Sequence, residues 1–401
     1  MSKSIKLAYC LLGNYQSGGV ERITASKANY FASLGYEVYL ITSSQASRDF
    51  YYEVDPRVKH IDLDIRYDLS ENLPRLKAYW PMQKKYRLHR QRLERVLTEI
   101  RPDITIASGY HENRFVYKIK DGSIKVIEHH NSKCWNVHMY NSVLRAIPNP
   151  SLKTRLSFSL RTLWGRLMTM KYSWYDKHYD VLVLLTEEDQ QGFKWHHHTE
   201  VIPNPRPLEF DNSATLDNPI VLAVGRLVPQ KNMGELISIW SRVASDYPEW
   251  QLHIVGDGYM RDSLESQIDE LGLRKQVILQ GNTTNVTPYY MGASISVFTS
   301  TYEGFGLVIL ESFTAGVPIV SYACPCGPRD LIQDGSNGFL VEMGDKTTFE
   351  ARLRTLMNDT ELRKRMGRNA RESAELYTHD RVMQKWDVLF KSLLKSKGRL
   401  V

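Results

Sequence analysis

Cysteine is scarce in this chain, and long apolar runs are missing. The four cysteines in 401 residues, Cys10, Cys134, Cys324 and Cys326, make no zinc-like pair of pairs. Cys324-x-Cys326 is too tight for an ordinary disulfide, so reduced thiols are expected, and with them the cytosol. No uncharged apolar stretch approaches the roughly 20 residues that cross a bilayer. From Lys3 to Cys10 the chain runs straight into a strand pattern, without the layout of a signal peptide. Neither low-complexity sequence nor a short internal repeat occurs, and an apolar share of 42% is ordinary. What is left is a chain of two or three domains, each large enough for its own core.

Strand and helix signals alternate through the first half. Residues 5–11 read as a strand, 13–19 as a glycine-containing loop, 20–34 as a helix and 36–42 as the next strand. Further strands are expected at 104–107, 124–128, 181–185 and 200–202. This alternation implies a parallel sheet. Pro203-Asn204-Pro205-Arg206-Pro207 reads as a stiff linker, because proline blocks helix continuation. Beyond it, strands are expected at 220–225, 251–256, 276–280, 295–299, 318–322 and 339–341, and a last helix at 378–394. His196-His197-His198 reads as a surface loop, since neighbouring side chains of an extended segment point apart.

The most informative stretch runs from Ser300 to Glu311. Glu303 and Glu311 flank a Gly304-Phe305-Gly306 turn that follows a short apolar strand and opens a helix at Leu307. Glycine lets a backbone approach a ligand, and a helix N-terminus offers unpaired amides to an anion. A carboxylate on each side of such a site suits hydroxyl groups, so the ligand suggested carries both a diphosphate and sugars. Arg226 and Lys231 follow the buried strand ending at Gly225, where open α/β sheets bind ligands. Ser17-Gly18-Gly19 places another glycine pair at a helix start.

Gly225-Arg226-x4-Lys231-Asn232, Ile254-Val255-Gly256-Asp257-Gly258, Glu303-x7-Glu311, Ala315-Gly316-Val317-Pro318 and Asp334-Gly335-x-x-Gly338-Phe339 occur in that order. Together they resemble the retaining, nucleotide-sugar-dependent glycosyltransferases of family 4. Cys324-Pro325-Cys326-Gly327-Pro328 is similar to a signature of members that build bacterial surface polysaccharides, lipopolysaccharide and lipid-linked oligosaccharides. Ala323 stands where those relatives often carry an aspartate. The resemblance implies two doubly wound, Rossmann-like α/β domains facing across a cleft, the GT-B fold. Residues 1–203 plus a returning helix at 378–401 would form the acceptor-side domain, and 204–377 the donor-binding domain.

Site roles follow from the resemblance. Arg226 and Lys231, with the amides of the Gly304-Phe305-Gly306-Leu307 turn, would stabilise the leaving nucleoside diphosphate. Glu311 would take both ribose hydroxyls, and Glu303 the transferred sugar or its phosphate. His129 is preferred over His130 as the catalytic-site histidine beside the sugar or incoming hydroxyl. Gly18 and Gly19 would face the phosphates and the acceptor. The base is expected at the loop 281–286, with Asn285 and Val286 in its reach; uridine is the base expected. No Asp-x-Asp motif sits where a cation-dependent transferase needs one, so no metal and no other cofactor is expected.

The charge points to the acceptor. Net charge is +7, and from Arg75 to Arg101 Lys and Arg dominate, with Tyr79, Trp80 and Tyr86 interleaved. From Lys153 to Lys171 there is no acidic residue at all. Basic, aromatic, amphipathic helices suit anionic membrane surfaces. A peripheral position on the cytoplasmic face of the inner membrane is therefore expected, with a lipid-linked saccharide or polysaccharide precursor as acceptor and a hexose or N-acetylhexosamine as the sugar moved. Nucleic acid is not expected, because no recognition module appears. The competing expectation is a nucleotide-sugar epimerase, or a non-catalytic nucleotide-sugar-binding protein.

Overall fold

The computed structural model describes residues 4–15, 18–68, 75–108 and 111–398. Gln16 and Ser17 of the expected loop 13–19, and residues 399–401 of the expected returning segment, lie outside the described residues. Two parallel sheets organise the chain. The first contains β1 (Lys6–Leu11), β2 (Glu37–Thr42), β3 (Lys59–Asp62), β4 (Ile104–Ala107), β5 (Ile124–Glu128), β6 (Val181–Leu184) and β7 (Thr199–Val201), in the order β3-β2-β1-β4-β5-β6-β7. The second contains β8 (Ile220–Val224), β9 (Gln251–Val255), β10 (Val277–Gly281), β11 (Ile295–Phe298), β12 (Ile319–Tyr322) and β13 (Gly338–Val341), in the order β10-β9-β8-β11-β12-β13. The chain thus forms two Rossmann-like α/β domains. Each sheet reverses its strand order once, beside β1 in the first and β8 in the second, and ligands bind at such switch points.

Strands buried on both faces read as unbroken apolar runs. Leu7, Ala8 and Tyr9 of β1 are fully buried, as are Val181 to Leu184 of β6. The edge strand β3 was not expected from the sequence. Its Lys-His-Ile-Asp is half exposed and carries no apolar pattern.

The last helix, His379–Ser396, packs on the first sheet. Its Val382, Met383, Trp386 and Phe390 share one core with Leu7, Tyr9, Phe31 and Ile106. Residues 202–219 form no helix or strand, and the Arg206 amide donates to the Tyr377 carbonyl at 2.7 Å. The outgoing linker and the returning chain therefore run side by side. His196 departs from the surface-loop expectation: it is buried, with Nε2 3.1 Å from the Asp176 carbonyl. Its ring stacks on His197 at 4.5 Å, a contact that extended geometry would not allow. Truncating Trp386→Ala should cost the first domain about 3–5 kcal/mol through the cavity left behind. Urea unfolding followed domain by domain checks this, with the second domain's transition unmoved.

Candidate active site

The second domain's wall of the cleft is built at the switch point between β8 and β11. Gly225 follows β8 with φ +155°, and a Cβ there would sit 3.3 Å from the Lys231 stem, which folds back over it. Lys231 Nζ lies 2.6 Å from Glu303 Oε1, and both side chains are little exposed. Arg226, beside this pair, is exposed and has no ion pair among the described residues. Its charge still reaches the Tyr302 hydroxyl.

Gly306 adopts the left-handed region (φ +91°) and caps the helix Leu307–Thr314. From below, the segment after β12 holds this turn. The Glu303 amide donates to the Pro325 carbonyl at 3.0 Å, and a Cβ on Gly327 would fall 1.9 Å from the Phe305 carbonyl oxygen. Glu311 sits one turn into the helix, where its Oε2 accepts from Tyr290 Oη at 2.8 Å. Burial raises the Glu311 carboxyl above its ordinary range, against the Tyr290 bond and the charges of Arg22 and Lys231.

The first domain supplies the opposite wall. The chain leaves β5 through Glu128, and the His129 amide continues the ladder by donating to the Val183 carbonyl at 3.0 Å. His129 Nε2 stands 3.3 Å from Asp176 Oδ1, at the end of the long helix Leu152–Asp176. Burial pulls the His129 pKa down. The carboxylate of Asp176 outweighs it, with help from Asp189, so the net shift is upward. His130 turns the other way, its Nε2 3.5 Å from Glu128 Oε1.

The two walls meet at a glycine. A Cβ on Gly304 would lie 2.0 Å from the His130 carbonyl oxygen. Only a residue without a side chain lets the Glu303 turn reach the end of β5. Nearby, a Cβ on Gly19 would come within 4.0 Å of Leu307 Cδ1, so the Gly18-Gly19 turn faces the start of the Leu307 helix. The structure thus gathers Gly18, Gly19, Lys231, Glu303, Gly304, Phe305, Gly306 and Leu307 about one cleft, with His129 beside the contact. Asn285 and Val286 stand apart, just before the helix Thr287–Gly292 that carries Tyr290. There Asn285 Oδ1 accepts from the Thr287 amide at 3.1 Å.

Three residues escaped the sequence reading. Asp176 and Tyr290 are partners of site residues far away in the chain, and no local pattern marks them. Arg22 lies three residues beyond Gly19, and no sequence pattern gave it a role. It donates to the Pro207 carbonyl of the linker and contributes its charge to Glu311.

Known proteins resemble this chain in sequence and in fold. Residues 206–373 match the family described as Glycosyl transferases group 1. An uncharacterized glycosyltransferase of Haemophilus influenzae is 28% identical over 390 residues, covering 95% of this chain and 98% of its own. The N-acetylgalactosamine-N,N'-diacetylbacillosaminyl-diphospho-undecaprenol 4-alpha-N-acetylgalactosaminyltransferase of Campylobacter jejuni is 32% identical over 162 residues, 40% of this chain and 44% of that one. Sucrose-phosphate synthase from Thermosynechococcus elongatus superposes with a TM-score of 0.75 at 17% identity, over 98% of this chain and 100% of the other. A variant of S. aureus TarM, in complex with Fondaparinux, alpha-GlcNAc-glycerol and UDP, gives 0.70 at 15% identity, over 96% and 99%. The chain is a glycosyltransferase with the GT-B fold.

The His129–Asp176 pair has a pH signature. His129 titrates above its ordinary value of about 6.5, so the pair's contribution to stability is full below that pH. It is lost as pH rises through the raised folded-state value. In Asp176→Asn, burial is left to act and His129 should titrate lower than in the parent. NMR titration of His129 checks this, and a parent value below the ordinary one contradicts it.

Proposed function

We propose that this glycosyltransferase belongs to family 4. It moves a hexose or N-acetylhexosamine from a UDP-sugar to a lipid-linked saccharide or polysaccharide precursor, with retention of anomeric configuration and without a metal. The observation that carries this reading is the Lys231–Glu303 pair at the switch point, beside Arg226 and against the first domain's His129 segment. Two cations and the amides at the head of the Leu307 helix suit a departing diphosphate. Charge aimed where it develops replaces the task a divalent ion performs elsewhere. The TarM variant holds UDP in its crystal, and the C. jejuni relative is named for a diphospho-undecaprenol-linked acceptor. Both support the substrate classes chosen.

Glu303 is engaged by Lys231 at 2.6 Å, which suits a carboxylate that binds better than one that attacks carbon. In the front-face route the sugar's C1–O bond to the diphosphate breaks. The acceptor oxygen forms its bond to C1 on the same face and passes its proton to the departing phosphate oxygen. His129 orients the incoming hydroxyl or a sugar hydroxyl, and Glu311 holds the ribose. The enzyme works in the cytoplasm, peripherally on the anionic inner leaflet.

The test is incubation with a panel of nucleotide sugars and lipid-linked acceptors. Nucleoside diphosphate should appear only when acceptor is present, with activity unchanged in EDTA. Epimerised nucleotide sugar in the absence of acceptor would overturn the reading. Lys231→Ala should lower kcat by roughly 10²–10³-fold with the fold intact. Glu311→Gln should weaken donor binding by roughly tenfold or more while slowing the chemical step less. Calorimetric titration with the nucleoside diphosphate reads the second effect, and an unchanged Kd removes Glu311 from the ribose.

A further inference from the structure

The helix Leu152–Asp176 is 25 residues long and has two unlike faces. Leu156, Leu160, Leu163, Leu167, Met170 and Trp174 are all exposed, from 48% to 70%. At about 100° per residue they fall within about 80° of one another, a continuous apolar stripe turned to solvent. Lys153, Arg155, Arg166 and Lys171 flank the stripe on both sides, and none pairs with a carboxylate among the described residues. The helix carries no acidic residue before Asp176. On its opposite face Thr169, Tyr172, Ser173 and Asp176 line the cavity that also holds His129. The second basic helix, Arg75–Ile100, is linked to it through Arg114. Arg114 sits 4.5 Å from the Tyr86 ring and donates to Tyr172 Oη at 3.1 Å, joining the two. Tyr79 and Trp80 of that helix are exposed as well.

We propose that the Leu152–Asp176 helix lies flat on an anionic bilayer by its leucine stripe, which sets the cavity lined by its opposite face about one helix diameter, ~10 Å, from the membrane surface. The proposal rests on the membrane-borne acceptor argued above and names the surface that meets it. Charge selects the occupant. An interhelical seam with a second copy gains specificity from opposite charges along its flanks, whereas here both flanks are positive and two copies repel. Anionic headgroups complement both flanks while the leucines and Trp174 enter the acyl boundary. The saccharide of a lipid-linked acceptor then reaches His129 around the same helix that holds the enzyme down, while its lipid stays in the bilayer.

Flotation of the purified full chain with phosphatidylglycerol/phosphatidylethanolamine vesicles tests the docking without any sugar transfer. The protein should float with these vesicles and far less with phosphatidylcholine alone. Leu160→Glu combined with Leu167→Glu should lower the bound fraction by at least about tenfold. That variant should keep the parent's rate on a detergent-dispersed acceptor and lose rate on the same acceptor in vesicles. Equal flotation of parent and variant overturns the proposal. So does a parent dimer in sedimentation that the variant dissolves, which makes the stripe an interface between copies. Loss of transfer by the parent on every acceptor, with docking intact, counts against the proposed function and not against the surface.

Discussion

The first-domain wall of the cleft depends on one buried ion pair, Lys27 with Glu128. Lys27 Nζ bonds both carboxylate oxygens, and neither side chain is more than 1% exposed. Burying two charges costs several kcal/mol per ion, repaid only where the remaining polar capacity is also filled. Here it is filled. Ser108 Oγ donates to Glu128 at 3.2 Å, His130 stands near, and the Trp386 ring covers the ammonium at 4.3 Å. Against burial, Lys27 and His130 hold the Glu128 carboxyl well below the ordinary range. The pair fixes three elements at once. Lys27 belongs to the helix that opens at Gly19, Glu128 ends the strand that delivers His129, and Trp386 belongs to the helix returning from the second domain.

The second domain is seated on this frame by the segment from Cys324 to Asp330. Its upper side supports the Glu303 turn through Pro325 and Gly327. Its outer side meets the short helix Glu187–Gln190 of the first domain. The Cys326 amide donates to Glu188 at 3.1 Å, Arg329 pairs with Glu188 at 2.9 Å, and Asp330 accepts from the Glu187 amide at 2.6 Å. Asp189 in turn accepts from the Lys133 amide at 2.9 Å, just beyond His129. Burial pushes both thiols up, so Cys324 and Cys326 are neutral and serve here as compact packing groups. The Cys-Pro-Cys-Gly-Pro run is physically the joint between the Glu303 turn and the first domain's helix Glu187–Gln190.

Much of the fold was legible in the sequence because parallel strands buried on both faces leave unbroken apolar runs and end in glycine. The edge strand β3 was illegible for the converse reason: its polar residues face water and carry no period. Glycines at Gly225, Gly304 and Gly306 announced close approaches, since few other pressures place glycine beside charged residues at strand ends. Asp176, Tyr290 and Arg22 stayed hidden because each acts on a residue remote in sequence. For Leu152–Asp176 the sequence marked a basic, aromatic helix suited to a membrane surface, but not which of its faces is exposed. Leucines at three- and four-residue spacing ordinarily mark a core-facing surface, and only the packing reveals that these face outward.

Gly304 also decides how the two halves work together. Its backbone packs against the His130 carbonyl, so the contact that joins the two halves is also the one that brings the Glu303 turn to the His129 segment. In this arrangement the Lys231–Glu303 pair is largely withdrawn from water, and under the proposed function a cation so placed would act on the donor's diphosphate through a lower effective dielectric. A side chain at position 304 would hold the walls apart by the width of a methyl group, leaving water between them. The chemistry then loses twice, because misplacement of the reacting groups and renewed screening of the cations arise from the same gap.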